Sequence, residues 1–319
     1  MRRSLAAIAV ALLSAVMLTG QPPRPGNSRA PANPPPFESV LFIGWDGVQR
    51  AHLLELMMAG RLPNLTKLAD EGSFETIGIS GHNTDTKSGW TQLLTGYDPE
   101  VTGVYSNGRY QPIPKGLTAF ERVETFFGPD QVTTIFITGK AHHVGSLGPG
   151  LRKEGPKQEE QMRPGEPWHI AKASIDVFEG DKQRQADEVG TLARRHLGEV
   201  KGRFFAFVHF SDPDHAGHAH GENSPEYEAA IVACDDWLGR LRQLLAEKGL
   251  QNTGIYVVTD HGFDEGAMSH SYAPRSWLVT NDKAVIRGGH MREVAPTVLM
   301  RMGVSLNEQP LFPGGVLTR

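Results

Sequence analysis

The chain has 319 residues, a length that suits one large α/β domain with a sizeable core. Its formal net charge is −4, its isoelectric point lies near 6.4, and no run of Lys and Arg forms a basic patch. Such a surface offers no attractive field to a nucleic-acid backbone. We therefore expect no polymeric nucleic acid among its partners.

The N-terminus has the anatomy of an export signal. Arg2 and Arg3 precede an apolar run that ends near Leu18, which is short for a membrane span. The run lacks a good cleavage site, so residues 1–20 are predicted to be a signal peptide or an uncleaved anchor, the one expected membrane contact. The single cysteine, Cys234, is predicted to be buried in a helix. Export without disulfides favours a bacterial periplasm or secretion.

The first half of the folded domain alternates strand and helix patterns. Residues 21–37 are dense in proline and are predicted to be an extended linker, so the domain is expected to span 38–319. Short apolar or β-branched runs then alternate with helical periodicity. In order, these segments are the strand SVLFIGW, the helices QRAHLLELMMAG and NLTKLADEG, the strand SFETIGI, a helix that ends before TGYDPE, and the strand TTIFITG.

The second half resumes the alternation after an irregular stretch. Residues 142–183 lose periodicity and are predicted to be an insertion or lid. The later segments are the helix RQADEVGTLARRHL, the strand RFFAFVHF, a helix capped by Ser224 with Pro225 in its first turn, the strands GIYVVT and SWLVT, and the helix REVAPTVLMRMG. This pattern predicts a mostly parallel central sheet flanked by helices.

Acidic residues lie at or just after the ends of three predicted strands. Asp46 follows SVLFIGW, Asp214 follows RFFAFVHF, and Asp260 with His261 follows GIYVVT. Ligands of open α/β sheets bind outside the carboxyl ends of the strands, so these side chains are expected to converge. The stretch SDPDHAGHAHG, residues 211–221, adds three histidines. Mixed Asp and His ligation suits zinc or a similar divalent ion, and the number of ligands predicts two ions.

A nucleophile is expected in HNTDTKSGWTQLLTGYDPEVTGV, residues 82–104. Thr84, Thr86 and Ser88 lie near the start of a predicted helix, where free backbone N–H groups receive an anionic ester and a metal lowers the pKa of a hydroxyl. The alternative is that Thr84 or Asp85 only caps the helix.

Together these segments resemble the alkaline phosphatase superfamily, most closely its type I phosphodiesterase/nucleotide pyrophosphatase branch. The resemblance extends over about residues 38–305. It is carried, in this order, by WDGV at 45–48, TKSGWTQLLTGYDPEVTGV at 86–104, PDHAGH at 213–218 and TDHGF at 259–263.

The resemblance implies an exported two-metal hydrolase of small phosphate esters, with Thr86 as the nucleophile that becomes a phospho-threonine. His270 is preferred as the last ligand because it precedes a strand at the expected distance, and His290 is the alternative. One implied metal site consists of Asp46, Asp260 and His261, and the other of Asp214, His218 and His270.

Three further residues are candidate substrate contacts. The family commonly places an asparagine after the nucleophile, whereas this chain has Lys87, which either contacts phosphate or is a surface lysine. Ser88 is the alternative nucleophile. Lys140, which follows the strand TTIFITG, either lines the substrate side or is a loop residue. Sulfatases of the superfamily need Cys or Ser in a Cys/Ser-x-Pro-x-Arg context, which the segment after Thr86 lacks.

The resemblance leaves the substrate open between a phosphodiester, a phosphomonoester and a phosphonate, and a phosphosugar-transferring relative is also compatible with it. A non-catalytic metal-binding protein with a degenerate site is the alternative from another class. It would be expected to lack the nucleophile or a ligand, yet every expected position is filled.

Overall fold

The structure is a computed structural model that describes residues 36–154, 159–273 and 275–318. The predicted signal or anchor at 1–20, and all but the last two residues of the predicted linker at 21–37, lie outside the described residues. Within those ranges, no helix combines the length and apolar character that a membrane crossing requires.

Strands and helices alternate along the described chain. The strands are β1 (Ser39–Trp45), β2 (Ser73–Gly78), β3 (Thr133–Thr138), β4 (Gly150–Glu154), β5 (Glu159–Arg163), β6 (Val177–Glu179), β7 (Phe204–Phe210), β8 (Thr253–Val258), β9 (Arg275–Thr280) and β10 (Gly289–His290). The helices are α1 (Arg50–Met58), α2 (Pro63–Glu71), α3 (Thr86–Thr95), α4 (Pro99–Thr102), α5 (Ala119–Phe127), α6 (Ala141–Val144), α7 (Ala186–Glu199), α8 (Asp212–His220), α9 (Pro225–Glu247) and α10 (Val294–Arg301).

The described residues form an eight-stranded central sheet in the order β10-β2-β9-β8-β1-β7-β3-β6. β1 pairs in parallel with β7 and β8, so that Ile43 lies beside Val208 on one side and Val257 on the other. β9 pairs antiparallel with both β2 and β8. The predicted mostly parallel sheet with flanking helices is confirmed.

Both faces of the sheet are covered by apolar layers. Val40 and Phe42 of β1 pack into one layer with Trp90 of α3, and the alternate residues Leu41 and Ile43 pack into the other. Because both faces are buried, the central strands are continuous apolar runs instead of alternating ones. This burial fixes the strand positions and therefore the places where their carboxyl ends meet the solvent.

Individual residues explain the start of α9 and the close packing of α3. Ser224 accepts a hydrogen bond from the Tyr227 backbone N–H at 3.2 Å, so the predicted cap of α9 is present. All ten residues of α3, which begins at Thr86, are buried. Gly89 allows α3 to approach β8, since a Cβ there would lie 2.7 Å from the Asp260 Cβ.

The segment predicted as an insertion, 142–183, contains the hairpin β4–β5 and the edge strand β6. β6 pairs in parallel with β3, with Ile135 beside Val177. A three-residue strand is too short to produce visible periodicity. Part of the segment therefore belongs to the central sheet, and its role as a lid stays a prediction.

Candidate active site

Three buried carboxylates meet at the carboxyl ends of the central strands. Asp46 follows β1, Asp214 lies in the first turn of α8 after β7, and Asp260 follows β8. Their exposed fractions are 0%, 1% and 0%. The Lys140 ammonium lies between two of them, 3.2 Å from Asp46 Oδ1 and 2.5 Å from Asp214 Oδ2. The predicted convergence of the strand ends therefore holds for these side chains.

Two groups of side chains could each hold a metal ion, and they share His261. One is Asp46, Asp260 and His261, the other Asp214, His261 and His270, and the ligand atoms within each group lie within 4.8 Å of one another. His261 Nε2 is 3.3 Å from Asp260 Oδ2 and 3.7 Å from Asp46 Oδ1. Its Nδ1 pairs with the Gly262 carbonyl at 3.1 Å, which leaves Nε2 free to coordinate.

His270 belongs to the second group, and His218, which was also predicted as a ligand there, lies beside that group. His218 Nε2 lies 3.4 Å from Asp214 Oδ1 and 3.2 Å from His270 Nε2. The His270 ring stacks on His261 with centroids 4.0 Å apart. His290 instead lies on β10, where its Nδ1 is 3.3 Å from Ser80 Oγ. We call the assembled set the carboxylate–histidine cluster, which comprises Asp46, Asp214, His218, Asp260, His261 and His270.

The cluster fits a zinc-like ion. Among the described residues, Asp214 Oδ1 and Asp260 Oδ2 are buried and receive no hydrogen bond of acceptable geometry. Each instead faces a histidine Nε2 at 3.4 Å or 3.3 Å. Tetrahedral ligands bound at 2.0–2.1 Å are about 3.3 Å apart, so these pairs have the spacing of two ligands on one ion. A cation would also compensate buried oxygens that otherwise carry a desolvation cost.

The pKa shifts of the cluster residues are also consistent with a bound cation. Burial acts to raise the pKa of Asp46, but the charge of Lys140 together with the hydrogen bond and charge of His209 holds that pKa below its usual range. Burial and the Asp46 charge raise the pKa of Asp260 well above its ordinary value. Burial lowers the pKa of His261 to about 4, which keeps the ring neutral and able to coordinate. One ammonium is thus insufficient for three carboxylates, and a divalent ion would supply the missing charge.

The Thr86 hydroxyl faces this cluster from the N-terminus of α3. Its Oγ1 accepts a hydrogen bond from Lys140 Nζ at 3.1 Å and lies 3.5 Å from His261 Nε2. Ser88 Oγ instead contacts the backbone carbonyls of Asn83 and Asp85, at 3.1 and 3.0 Å. The Thr84 hydroxyl likewise donates to a backbone carbonyl, that of His270.

Lys87 points toward the segment predicted as an insertion. Its Nζ lies 2.8 Å from Glu166 Oε2 and 4.1 Å from the centroid of the Tyr110 ring. Its backbone N–H donates to Asn107 Oδ1 at 3.0 Å, and the Asn107 N–H donates to Asp85 Oδ2 at 3.0 Å. An asparagine therefore does lie at the start of α3, contributed by a distant loop residue that no local motif revealed.

His209, inside β7, supports the cluster from behind Asp46. Its Nε2 is 2.8 Å from Asp46 Oδ2, and its Nδ1 is 2.9 Å from Thr138 Oγ1. Trp90 Nε1 donates to the same Asp46 oxygen at 3.3 Å. These contacts fix the Asp46 carboxylate, a role that one histidine inside a strand does not reveal in sequence.

The fold defines the class of protein. Solved structures with this architecture include an alkaline phosphatase from the Antarctic bacterium TAB5, with a TM-score of 0.55 at 13% identity, covering 85% of this chain and 99% of that one. A protein solved with its substrate D-glucosamine-2-N,6-O-disulfate gives 0.60 at 14% identity, covering 88% and 79%. The chain thus has the alkaline phosphatase-like fold.

The chain belongs to the type I phosphodiesterase / nucleotide pyrophosphatase family, whose model matches residues 40–310. Ectonucleotide pyrophosphatase/phosphodiesterase family member 1 of Rattus norvegicus is 24% identical over 296 residues, which cover 88% of this chain and 30% of that protein. The 2,3-bisphosphoglycerate-independent phosphoglycerate mutase of Wolbachia pipientis is 32% identical over 124 residues, covering 35% and 24%. The chain spans less than a third of the length of these relatives.

Proposed function

We propose that the protein is a metal-dependent phosphoric ester hydrolase that works with two divalent ions, of which zinc fits best, through a covalent phospho-threonine. The observation that carries the proposal is the position of Thr86 Oγ1, at a helix N-terminus and 3.5 Å from His261 Nε2 of the cluster. Family membership and the alkaline phosphatase-like fold support the reaction class.

The proposed ligands keep the two metal sites predicted from sequence, although in the structure His261, and not His218, forms the second group with Asp214 and His270. Asp46, Asp260 and His261 would hold the ion beside Thr86, and Asp214, His218 and His270 the other. When bound, the ions would lower the pKa of the attacking hydroxyl or water and neutralise charge that develops on the phosphoryl group. We propose His270 as the last ligand and not His290, because His270 lies 3.2 Å from His218 and stacks on His261.

The chain's own residues position the nucleophile and supply positive charge next to the phosphoryl group. Thr86 Oγ forms a bond to phosphorus, the ester oxygen leaves on the opposite side, and the hydroxyl proton passes to solvent. Water then cleaves the phospho-threonine and restores the hydroxyl. The N-terminus of α3 favours the negative phosphoryl oxygens. Lys140, with its ammonium 3.1 Å from Thr86 Oγ1, is the proposed substrate contact.

For Lys87 and Ser88 the contacts support a different proposal from substrate binding. Lys87 is held by Glu166 and Tyr110, and Ser88 by the backbone that precedes α3. We propose that both residues fix the start of α3 and thereby the position of Thr86.

The family and its relatives support a phosphodiester or a pyrophosphate as the substrate class. A phosphomonoester or a phosphonate is the alternative within the same chemistry, and a non-catalytic metal-binding protein is the alternative outside it. The signal-like segment at 1–20 supports export to a periplasm or to the outside of the cell. We propose a small phosphate ester as the partner of the site, with no polymeric nucleic acid and no membrane contact beyond a retained N-terminal anchor.

The test compares the hydrolysis of bis-p-nitrophenyl phosphate, p-nitrophenyl phosphate and p-nitrophenyl sulfate by zinc-loaded protein, with and without a chelator. The proposal predicts chelator-sensitive release of p-nitrophenol from the diester and none from the sulfate, with Thr86→Ala as an inactive variant that still binds metal. Preference for the monoester would indicate a phosphomonoester as the substrate class instead of a phosphodiester. Turnover unaffected by the chelator or by Thr86→Ala would contradict the mechanism.

A further inference from the structure

A buried carboxylate outside the cluster connects three segments of the chain. Glu222 is 1% exposed and follows α8. Its Oε1 lies 2.9 Å from Nδ1 of His52 in α1, and its Oε2 accepts the Gly266 N–H at 3.0 Å. The Glu222 N–H donates to the Ala267 carbonyl at 3.0 Å. One residue therefore holds the segment 264–270 through both its backbone and its side chain.

That segment has a defined turn of its own. The Ala267 N–H donates to the Asp264 carbonyl, and the Asp264 N–H donates to the Ser269 carbonyl, both at 2.9 Å. Gly266 adopts φ +64°, a left-handed conformation that side chains rarely tolerate. The turn is therefore one compact unit, and Glu222 fixes where that unit lies.

The segment in turn determines the orientation of two histidines. His218 Nδ1 is 2.9 Å from the Met268 carbonyl, an acceptor, so Nδ1 carries the proton and Nε2 carries the lone pair. That Nε2 points toward Asp214 and toward His270, which lies two residues after Met268. Displacement of the segment would rotate the His218 ring and move His270 with it.

We propose that Glu222, held by His52, is a positioning residue for one of the two metal sites, the one formed by Asp214, His218 and His270. This inference rests on the proposed function, because it takes those residues as metal ligands. Hydrogen-bonded partners behind a ligand commonly control metal affinity by fixing the orientation of the ligand. Glu222 does not contact a ligand directly; it acts through the segment 264–270, which contacts His218 and contains His270.

The other metal site has separate support. Asp46 is fixed by His209 and Trp90, and Asp260 Oδ1 accepts the Gly47 N–H at 3.2 Å. None of these contacts involves Glu222 or the segment 264–270. His261 is shared by both groups and stacks on His270. Loss of the Glu222 carboxylate is therefore expected to weaken the site of Asp214, His218 and His270 more than the other site, whereas a general loss of stability would weaken both alike.

The test is a zinc titration of metal-free protein against a chromophoric chelator, carried out on the wild type, Glu222→Gln and His218→Ala. Glu265→Gln is the matched control, because Glu265 lies in the same turn and its side chain accepts, among the described residues, a hydrogen bond from Gln49 Nε2 alone, at 2.9 Å. We expect two ions per wild-type chain. Glu222→Gln should weaken one binding step by about 10–100-fold, the range for partners behind a metal ligand.

The weakened step in Glu222→Gln should be the one that His218→Ala abolishes, and excess zinc should restore the wild-type kcat. His52→Gln, which keeps the carboxylate, provides a second variant if Glu222→Gln does not fold, and it should weaken the same step. Unchanged affinities in these variants, or equal weakening of both steps, would overturn the inference. A wild type that binds no zinc would instead overturn the proposed function.

Discussion

At the scale of single residues, the notable feature is a cationic side chain inside the carboxylate–histidine cluster. The Lys140 ammonium contacts Asp46, Asp214 and Thr86 within 3.2 Å. Burial lowers the pKa of Lys140, but the two carboxylates raise it above its ordinary value, so the residue stays charged. Its charge lies where the nucleophile and the phosphoryl oxygens would meet.

Replacement of Lys140 by Met keeps most of the side-chain volume and removes the charge. We expect kcat to fall by about 10²–10³-fold, the typical cost of losing one preorganised group that stabilises transition-state charge. Steady-state kinetics on zinc-loaded protein would measure it, with the zinc content determined on the same sample. An unchanged kcat in fully loaded Lys140→Met would contradict the proposed contact.

At the scale of elements, the site depends on how closely α3 approaches the end of β8. This approach needs the absence of a side chain at Gly89, since a Cβ there would lie 2.7 Å from the Asp260 Cβ and 3.1 Å from the Asp260 carbonyl oxygen. The helix that begins at Thr86 therefore packs directly against Asp260, just after the end of β8.

Gly89→Ala is therefore expected to push Asp260 away from the cluster and to lower both zinc affinity and turnover. Overpacking of a tight contact typically costs about 1–3 kcal/mol of stability. Gly198→Ala in α7 is the matched control, because a Cβ there meets nothing within 4 Å and alanine favours the helix. Denaturant unfolding and zinc titration would separate the two variants. Equal behaviour would contradict the close-approach argument.

An element could be predicted from sequence where the residues that determine it are close together in the chain. The apolar runs of β1, β7 and β8 and the Ser224 cap are local, and so the convergence of Asp46, Asp214 and Asp260 could be predicted. The three-residue β6 gave too little periodicity. The α5 helix, which carries a capping box of Thr118 and Glu121, was not predicted.

Individual hydrogen bonds between residues that are far apart in sequence could not be predicted. Asn107 reaches the start of α3 from a loop, and Glu222 reaches Gly266 from the end of α8. Neither lies in a motif, because each acts through a tertiary hydrogen bond whose partner the sequence does not indicate. The same reason concealed the contact between His209 and Asp46.

At the scale of the whole molecule, the cluster places three buried carboxylates close together in the protein interior. Asp46, Asp214 and Asp260 are all buried, and the raised pKa of Asp260 reflects burial and repulsion from Asp46. Buried charge that no cation compensates opposes folding. Binding of the proposed ions is therefore expected to stabilise the fold.

Metal removal should consequently lower the melting temperature, and added zinc should restore it. At a free zinc concentration of 100 times the dissociation constant, one site contributes about 2.7 kcal/mol to the free energy of unfolding. Thermal unfolding of chelated and reloaded protein would measure the effect. An Asp260→Asn variant should respond less to zinc, and identical melting temperatures with and without zinc in the wild type would contradict metal binding.

Covalent phosphorylation of Thr86 is the step on which the proposed mechanism depends. The most direct measurement is peptide mass spectrometry of zinc-loaded protein quenched in acid during turnover of bis-p-nitrophenyl phosphate. We expect a phosphate ester, or its nitrophenyl diester, on Thr86, and no modification in Thr86→Ala. Active protein that carries no adduct on Thr86 at any quench time, or that carries it on Ser88, would contradict the proposed mechanism.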